Sequence, residues 1–186
     1  MTCRQHRIYM LPVLLMVGAL AGCGGSDNGE AKAGANAAPV PAEVFLAAAP
    51  GNPSPIDQLK KDATEGDEVI VRVVVGGEDK PIVDTLASMT VVDVATPSCA
   101  ANPEDSCATP WDYCCTPSEE LARHKATVQA LDKDGKPMKA SFAAGDRIKP
   151  HDTLVIKGKI GPRPDPKVLV IHASGIYVES SLKKKG

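Results

Sequence analysis

From Gly66 onward, apolar residues recur at every second position, and this period constrains the fold more than any other feature of the chain. A period of two is that of a β-strand with one buried face. Over residues 68–75, Val69, Val71, Val73 and Val75 share one side, and Ile70, Arg72 and Val74 share the other. Gly76-Gly77 then marks a turn or bulge. A second strand is predicted over 86–95, where the apolar set changes parity between Val91 and Val92 and so predicts a bulge. A third spans 125–131, with Ala126, Val128 and Ala130 on one face, and ends at the turn signal of 132–137. In the fourth, 153–160, Leu154, Ile156 and Ile160 oppose Val155, Lys157 and Lys159. Gly158 lies on the inner face there, where a missing side chain permits close approach. After the Pro/Gly turn of 161–166, the last strand covers 167–173 and 176–178, with a break expected at Gly175.

Five short strands left as an open sheet would expose two edges; closure into a barrel removes them. The predicted class is therefore all-β, a small five-stranded barrel, with a β-sandwich as the alternative. Two short helices are predicted, at 56–63 and 118–124. The run DTLVIKGKI, a Pro/Gly turn and then KVLVIHASGIYV resembles the closing hairpin of OB-fold proteins. GDEVIVRVVVGG followed by MTVVDV resembles their opening pair, and the stretch 66–179 is similar to bacterial OB-fold lipoproteins. That resemblance implies an OB-like barrel. The chain departs from the pattern in one respect: its helix signal lies between strands two and three, whereas the usual place, near 142–148, is weakly helical.

The N-terminus carries Arg4, His6 and Arg7, then an apolar run over 8–21 interrupted by Pro12. That run is short for a membrane span, which needs ~20 apolar residues. Leu20-Ala21-Gly22-Cys23 resembles the lipobox of bacterial lipoproteins. The resemblance implies cleavage before Cys23, lipidation of Cys23 and anchoring to a membrane of the cell envelope. Gly24, where an Asp would signal retention, implies the outer membrane or periplasmic face. The expected organisation is a signal peptide at 1–22, a lipidated Cys and flexible Gly/Ala/Pro tether at 23–55, a barrel domain at 56–182 and a basic tail at 183–186. Val44-Phe45-Leu46 is the tether's one apolar knot.

Without Arg4 and Arg7 the formal charge of −2 becomes −4. Binding to nucleic-acid phosphates relies on Lys and Arg releasing counterions. Single-strand binding also needs stacking rings, and aromatic residues make up only 3% of the chain. Nucleic acid is thus an unexpected partner. Late in the chain the balance turns basic, and Lys157 and Lys159 share an outer strand face, where they guard an edge or form an anion site.

The unusual part of the domain is the insertion at 96–117, rich in Pro and holding Cys99, Cys107, Cys114 and Cys115. An even count in an exported domain predicts two disulfides. Of three connectivities, the Cys114–Cys115 ring is the most strained. A zinc or soft-metal site is the sharper alternative, weakened by the absence of a Cys-x-x-Cys pair, which also weakens a redox-active dithiol. No metal or cofactor is expected. Trp111 and Tyr113 either pack under the loop or serve as aromatic anchors for a glycan or partner protein. His124, His151 and His172 accompany no catalytic motif. The sequence thus points to a lipid-anchored envelope binding module for a protein or glycan, not an enzyme. A thiol- or metal-handling role for the four cysteines is the alternative.

Overall fold

The computed structural model describes residues 37–101 and 107–180; Cys23 and the basic tail lie outside the described residues. Five strands, β1 (Glu68–Val75), β2 (Ser88–Asp93), β3 (Lys125–Gln129), β4 (Thr153–Ile160) and β5 (Val170–Ser180), close into a barrel in the order β1-β2-β3-β5-β4. All neighbours are antiparallel except β3 and β5, which run parallel. The predicted all-β five-stranded barrel is therefore the fold, and the sandwich is not. The helices α1 (Ile56–Asp62) and α2 (Ser118–His124) stand where the sequence places them. Between β3 and β4 there is a single 3-10 turn, Ala144–Asp146, at the weakly helical position.

The period of two decides the interior. Val71, Val73 and Val75 of β1, Val91 of β2, Val128 of β3, Leu154 and Ile156 of β4, and Ile171 and Ile176 of β5 are fully buried. Ile56 of α1 and Phe142 and Ile148 of the β3–β4 connection join the same core. Each such side chain contributes on the order of 1.5–3 kcal/mol by leaving water. The helix α1 has no side-chain cap of its own, because Pro55 occupies the N-cap position. Its first amide instead reaches across the fold: Ile56 N–H donates to Asp93 Oδ2 at 2.9 Å, and Ala95 N–H donates to Asp93 Oδ1 at 2.9 Å. Asp93 is buried at the end of β2, so one carboxylate fastens the helix to the barrel wall.

Three expectations need correction. The bulge predicted between Val91 and Val92 does not form, and β2 keeps a regular register with β3 from Ser88 to Val92. Val92 is buried because its outward side is covered, next to Gly77. The break predicted at Gly175 is also absent. There β5 runs through as one strand, and the irregularity is a register shift opposite Lys157 and Gly158 that leaves Ser174 as the extra residue. Finally, the flexible tether does not extend to 55. Pro39 bridges Ser141 and Phe45 bridges Ile176, while Val40 belongs to the core. The Arg147 guanidinium lies 4.8 Å from the Phe45 ring centre, a cation–π contact. A Cβ on Gly175 would fall 2.8 Å from Leu46 Cδ1, so this glycine makes the slot into which the apolar knot docks.

At Gly158 the approach is closer still. A Cβ there would lie 2.4 Å from the His172 carbonyl oxygen and 2.9 Å from Ile171 Cγ2. Gly158→Ala is expected to destabilise the domain by about 1–3 kcal/mol through overpacking of the β4–β5 seam. Urea denaturation followed by circular dichroism measures this, and an unchanged midpoint would refute the close approach.

Candidate functional site

The cysteine loop is seated on the end of β1. Gly77 N–H donates to the Trp111 carbonyl at 2.7 Å. A Cβ on Gly76 would lie 2.4 Å from that same oxygen and 3.0 Å from Tyr113 Cε2. The Gly76-Gly77 pair, which reads in sequence as a turn, is thus the platform that lets the loop backbone lie against the barrel.

Within the loop, Asp112 sets the turn that carries Cys114. Its Oδ1 accepts the Cys114 N–H at 2.9 Å, and its Oδ2 accepts the Thr109 hydroxyl at 2.8 Å. These bonds to the Cys114 amide and the Thr109 hydroxyl hold the Asp112 carboxyl below its ordinary pKa. Between the two, Tyr113 adopts φ 58°, a left-handed conformation uncommon for an aromatic residue. Its ring is buried, and burial, with Asp93 and Cys99 nearby, pushes its hydroxyl pKa up to about 12. Tyr113 is therefore a packing residue rather than an exposed anchor, which corrects its candidacy as a ligand contact. Trp111 is half-buried, and its indole N–H donates to the Asp79 carbonyl at 3.0 Å.

The four cysteines converge on one atom. Cys114 Sγ stands 3.6 Å from Cys99 Sγ, 3.8 Å from Cys107 Sγ and 3.9 Å from Cys115 Sγ. A disulfide needs about 2.05 Å, so the two bridges predicted from the cysteine count are not what the structure holds. The sulfurs are grouped around Cys114 rather than sorted into two pairs. Cys99 is buried, Cys107 and Asp112 are half-buried, and Cys114 is exposed. The contact with Cys99, then the Asp112 carboxylate and the remaining sulfurs, pushes the Cys114 thiol well above the ordinary thiol range.

Beside the cluster is a contact that sequence inspection missed. Ser98 Oγ lies 3.0 Å from His151 Nε2, across 53 positions of chain. Burial lowers the His151 pKa, opposed by Asp152. His151 Nδ1 is buried with no hydrogen-bond partner among the described residues. The pair thus lacks the third group that orients a catalytic histidine. The role of Asp112 was equally overlooked; an Asp two residues before Cys114 is a signal for such a turn. Lys157 and Lys159 stand exposed on β4, away from the loop in sequence, and Lys159 pairs in register with Glu68.

A second concavity, a cleft of about 470 Å³, lies between α1 and α2 and is lined by Asp57, Lys60, Glu119, Arg123 and Lys167 among others. The Lys60 ammonium donates to the Ala122 carbonyl at 2.6 Å. Burial, then the charges of Lys125 and Arg163, lowers its pKa to about 8. Lys60, Lys61, Arg123 and Lys167 outnumber Asp57 and Glu119 around this cleft, so its lining is mixed with a basic excess. No protein-family model, curated protein or solved structure matches the chain.

Two outcomes follow from this geometry. Gly76→Ala displaces the Trp111 carbonyl and unseats the loop while the barrel persists. Cys99, buried in the native domain, should then react faster with a thiol reagent, with circular dichroism little changed; an unchanged rate would refute the platform. For Lys60, the unfolded chain keeps its proton between about 8 and 10.5 while the folded state gives it up. Stability therefore rises with pH across that window. Urea midpoints measured through it should climb less for Lys60→Gln than for the unchanged protein.

Proposed function

We propose that this chain is a lipid-anchored cell-envelope protein whose working part is the cysteine loop, a thiol-rich binding site held on a rigid barrel. The observation that carries this reading is the convergence of three sulfurs on Cys114 within 3.6–3.9 Å. A loop held only for packing has no need of four sulfurs at one point, since one bridge there would staple it. The barrel supplies a fixed seat through Gly76 and Gly77, and preorganised ligands lose little entropy when they bind. Binding rather than catalysis fits the unoriented Ser98–His151 pair. Anchoring through Cys23 would keep the site at a membrane surface.

A second reading has one observation in its favour. Trp111 is half-exposed with its indole N–H held by the Asp79 carbonyl, which leaves part of the ring for a protein or glycan partner.

Expression of the full chain in a bacterium tests the proposal in two measurements. The protein should fractionate with membranes, begin at Cys23 and carry acyl chains there, as mass spectrometry of the intact chain reads. Titration after denaturation without reductant should count four thiols, those of Cys99, Cys107, Cys114 and Cys115. A chain not cleaved before Cys23, or cleaved there without acyl chains, would overturn the anchor. A count of zero, with all four sulfurs in disulfides, would overturn the thiol site.

A further inference from the structure

We infer that Cys99, Cys107, Cys114 and Asp112 form a tetrahedral site for one divalent ion of the zinc class. The inference rests on the thiol reading above and names what that site binds.

The sulfur spacing is the first argument. Two zinc–sulfur bonds of about 2.3 Å meeting at the tetrahedral angle set their sulfurs about 3.8 Å apart. Cys114 lies 3.6 Å from Cys99 and 3.8 Å from Cys107. One ligand atom from each of Cys99, Cys107, Asp112 and Cys114 lies within 4.8 Å of all the others. The donors therefore already stand near the corners of one coordination shell. Three thiolates and a carboxylate suit a borderline-soft ion, and a hard ion such as Mg²⁺ would take oxygens alone.

The chain path supplies the second argument. Short-range chelation by Cys-x-x-Cys is one way to bring two sulfurs to a metal, and the sequence lacks it. Here the ligands come from three places: the 3-10 turn at Cys99–Ala101, Cys107, and the turn from Asp112 to Cys114. Asp112 and Cys114 are separated by one residue. The left-handed backbone at Tyr113 reconciles them, because its ring is buried in the protein while its two neighbours reach the cluster. Adjacent Cys115 approaches Cys114 at 3.9 Å but does not belong to the mutually close set of four.

The loop also supports the ligands and leaves the site accessible. Asp112 is held by the Thr109 hydroxyl and the Cys114 amide, the kind of outer contact that orients a ligating carboxylate. The shell is graded from buried Cys99 to exposed Cys114, which gives an ion a way in. On binding, each of three thiols transfers its proton to solvent as its sulfur bonds the ion. The divalent charge then offsets half of the four negative charges that the ligands bring, and no electron is transferred.

Cobalt(II) is the probe. Reduced protein cleaved before Cys23 and lipidated there, titrated with Co²⁺, should develop a thiolate-to-cobalt charge-transfer band in the near ultraviolet and the intense visible bands of a tetrahedral ion. Both should saturate at one ion per chain and be displaced by Zn²⁺. Cys114→Ser should abolish them, Cys115→Ser should keep them, and Asp112→Asn should weaken binding about 10-fold or more. Circular dichroism of each variant shows whether the barrel persists, and Cys115→Ser is the conservative control for loop folding. A pale octahedral spectrum, or a tetrahedral one that survives Cys99→Ser or Cys107→Ser, would overturn the site. If no band appears although four thiols are counted, the ion is refuted and the thiol site stands. If no thiols are counted in protein isolated without reductant, both fall.

Discussion

The ladder between β1 and β4 is the contact on which the rest of the molecule depends. It joins the first strand to the fourth over seven successive residue pairs, from Glu68–Lys159 to Val74–Thr153, and so turns a sheet into a closed wall. Without it the β1 valines would line one face of a ribbon with open edges. With it they point into a shared interior with Leu154 and Ile156. The same strand then runs out of the barrel at Gly76 and Gly77, where the cysteine loop is seated. One strand thus closes the core and carries the candidate site.

Closure also explains where glycine appears in the wall. A small barrel must coil its strands tightly, and β4 and β5 are the pair whose register shifts. Gly158 faces the His172 carbonyl at a distance no side chain allows, and the register shifts at the same point. Gly175, on the facing strand, serves a different purpose: it admits Leu46 from the N-terminal segment. Gly158 reads in sequence as a point of close approach, and Gly175 as a break in the strand. In the fold each marks a place where something else comes close.

The barrel was legible in the sequence because period two is a local signal that burial reinforces at every other residue. The bounds of β1 and β4 follow from it directly. What was not legible depended on contacts far apart in the chain. Val92 breaks the alternation because an outer layer covers it, and no pattern within 86–95 records that layer. Val44-Phe45-Leu46 looks like part of a flexible tether until β5 and Arg147 are placed beside it. Asp93 caps a helix that begins 37 residues earlier. The loop was read least well. Cysteine count and export favour pairs, and spacing disfavours a chelate, yet neither argument contains the left-handed turn at Tyr113 that brings Cys114 to the others.

That turn gives the loop its physical logic. An aromatic residue with positive φ is unfavourable on its own, by roughly 1–3 kcal/mol. It persists here because burial of the Tyr113 ring and the two hydrogen bonds to Asp112 offset it. The ring anchors the loop against the Gly76 platform, and the same backbone reversal leaves Asp112 and Cys114 on either side of it facing the other sulfurs. Burial thereby holds in place a cluster of groups that repel one another when ionised. A site built this way has its ligands positioned before anything binds, and its energetic cost is carried by the packing of one tyrosine on a barrel that is already closed.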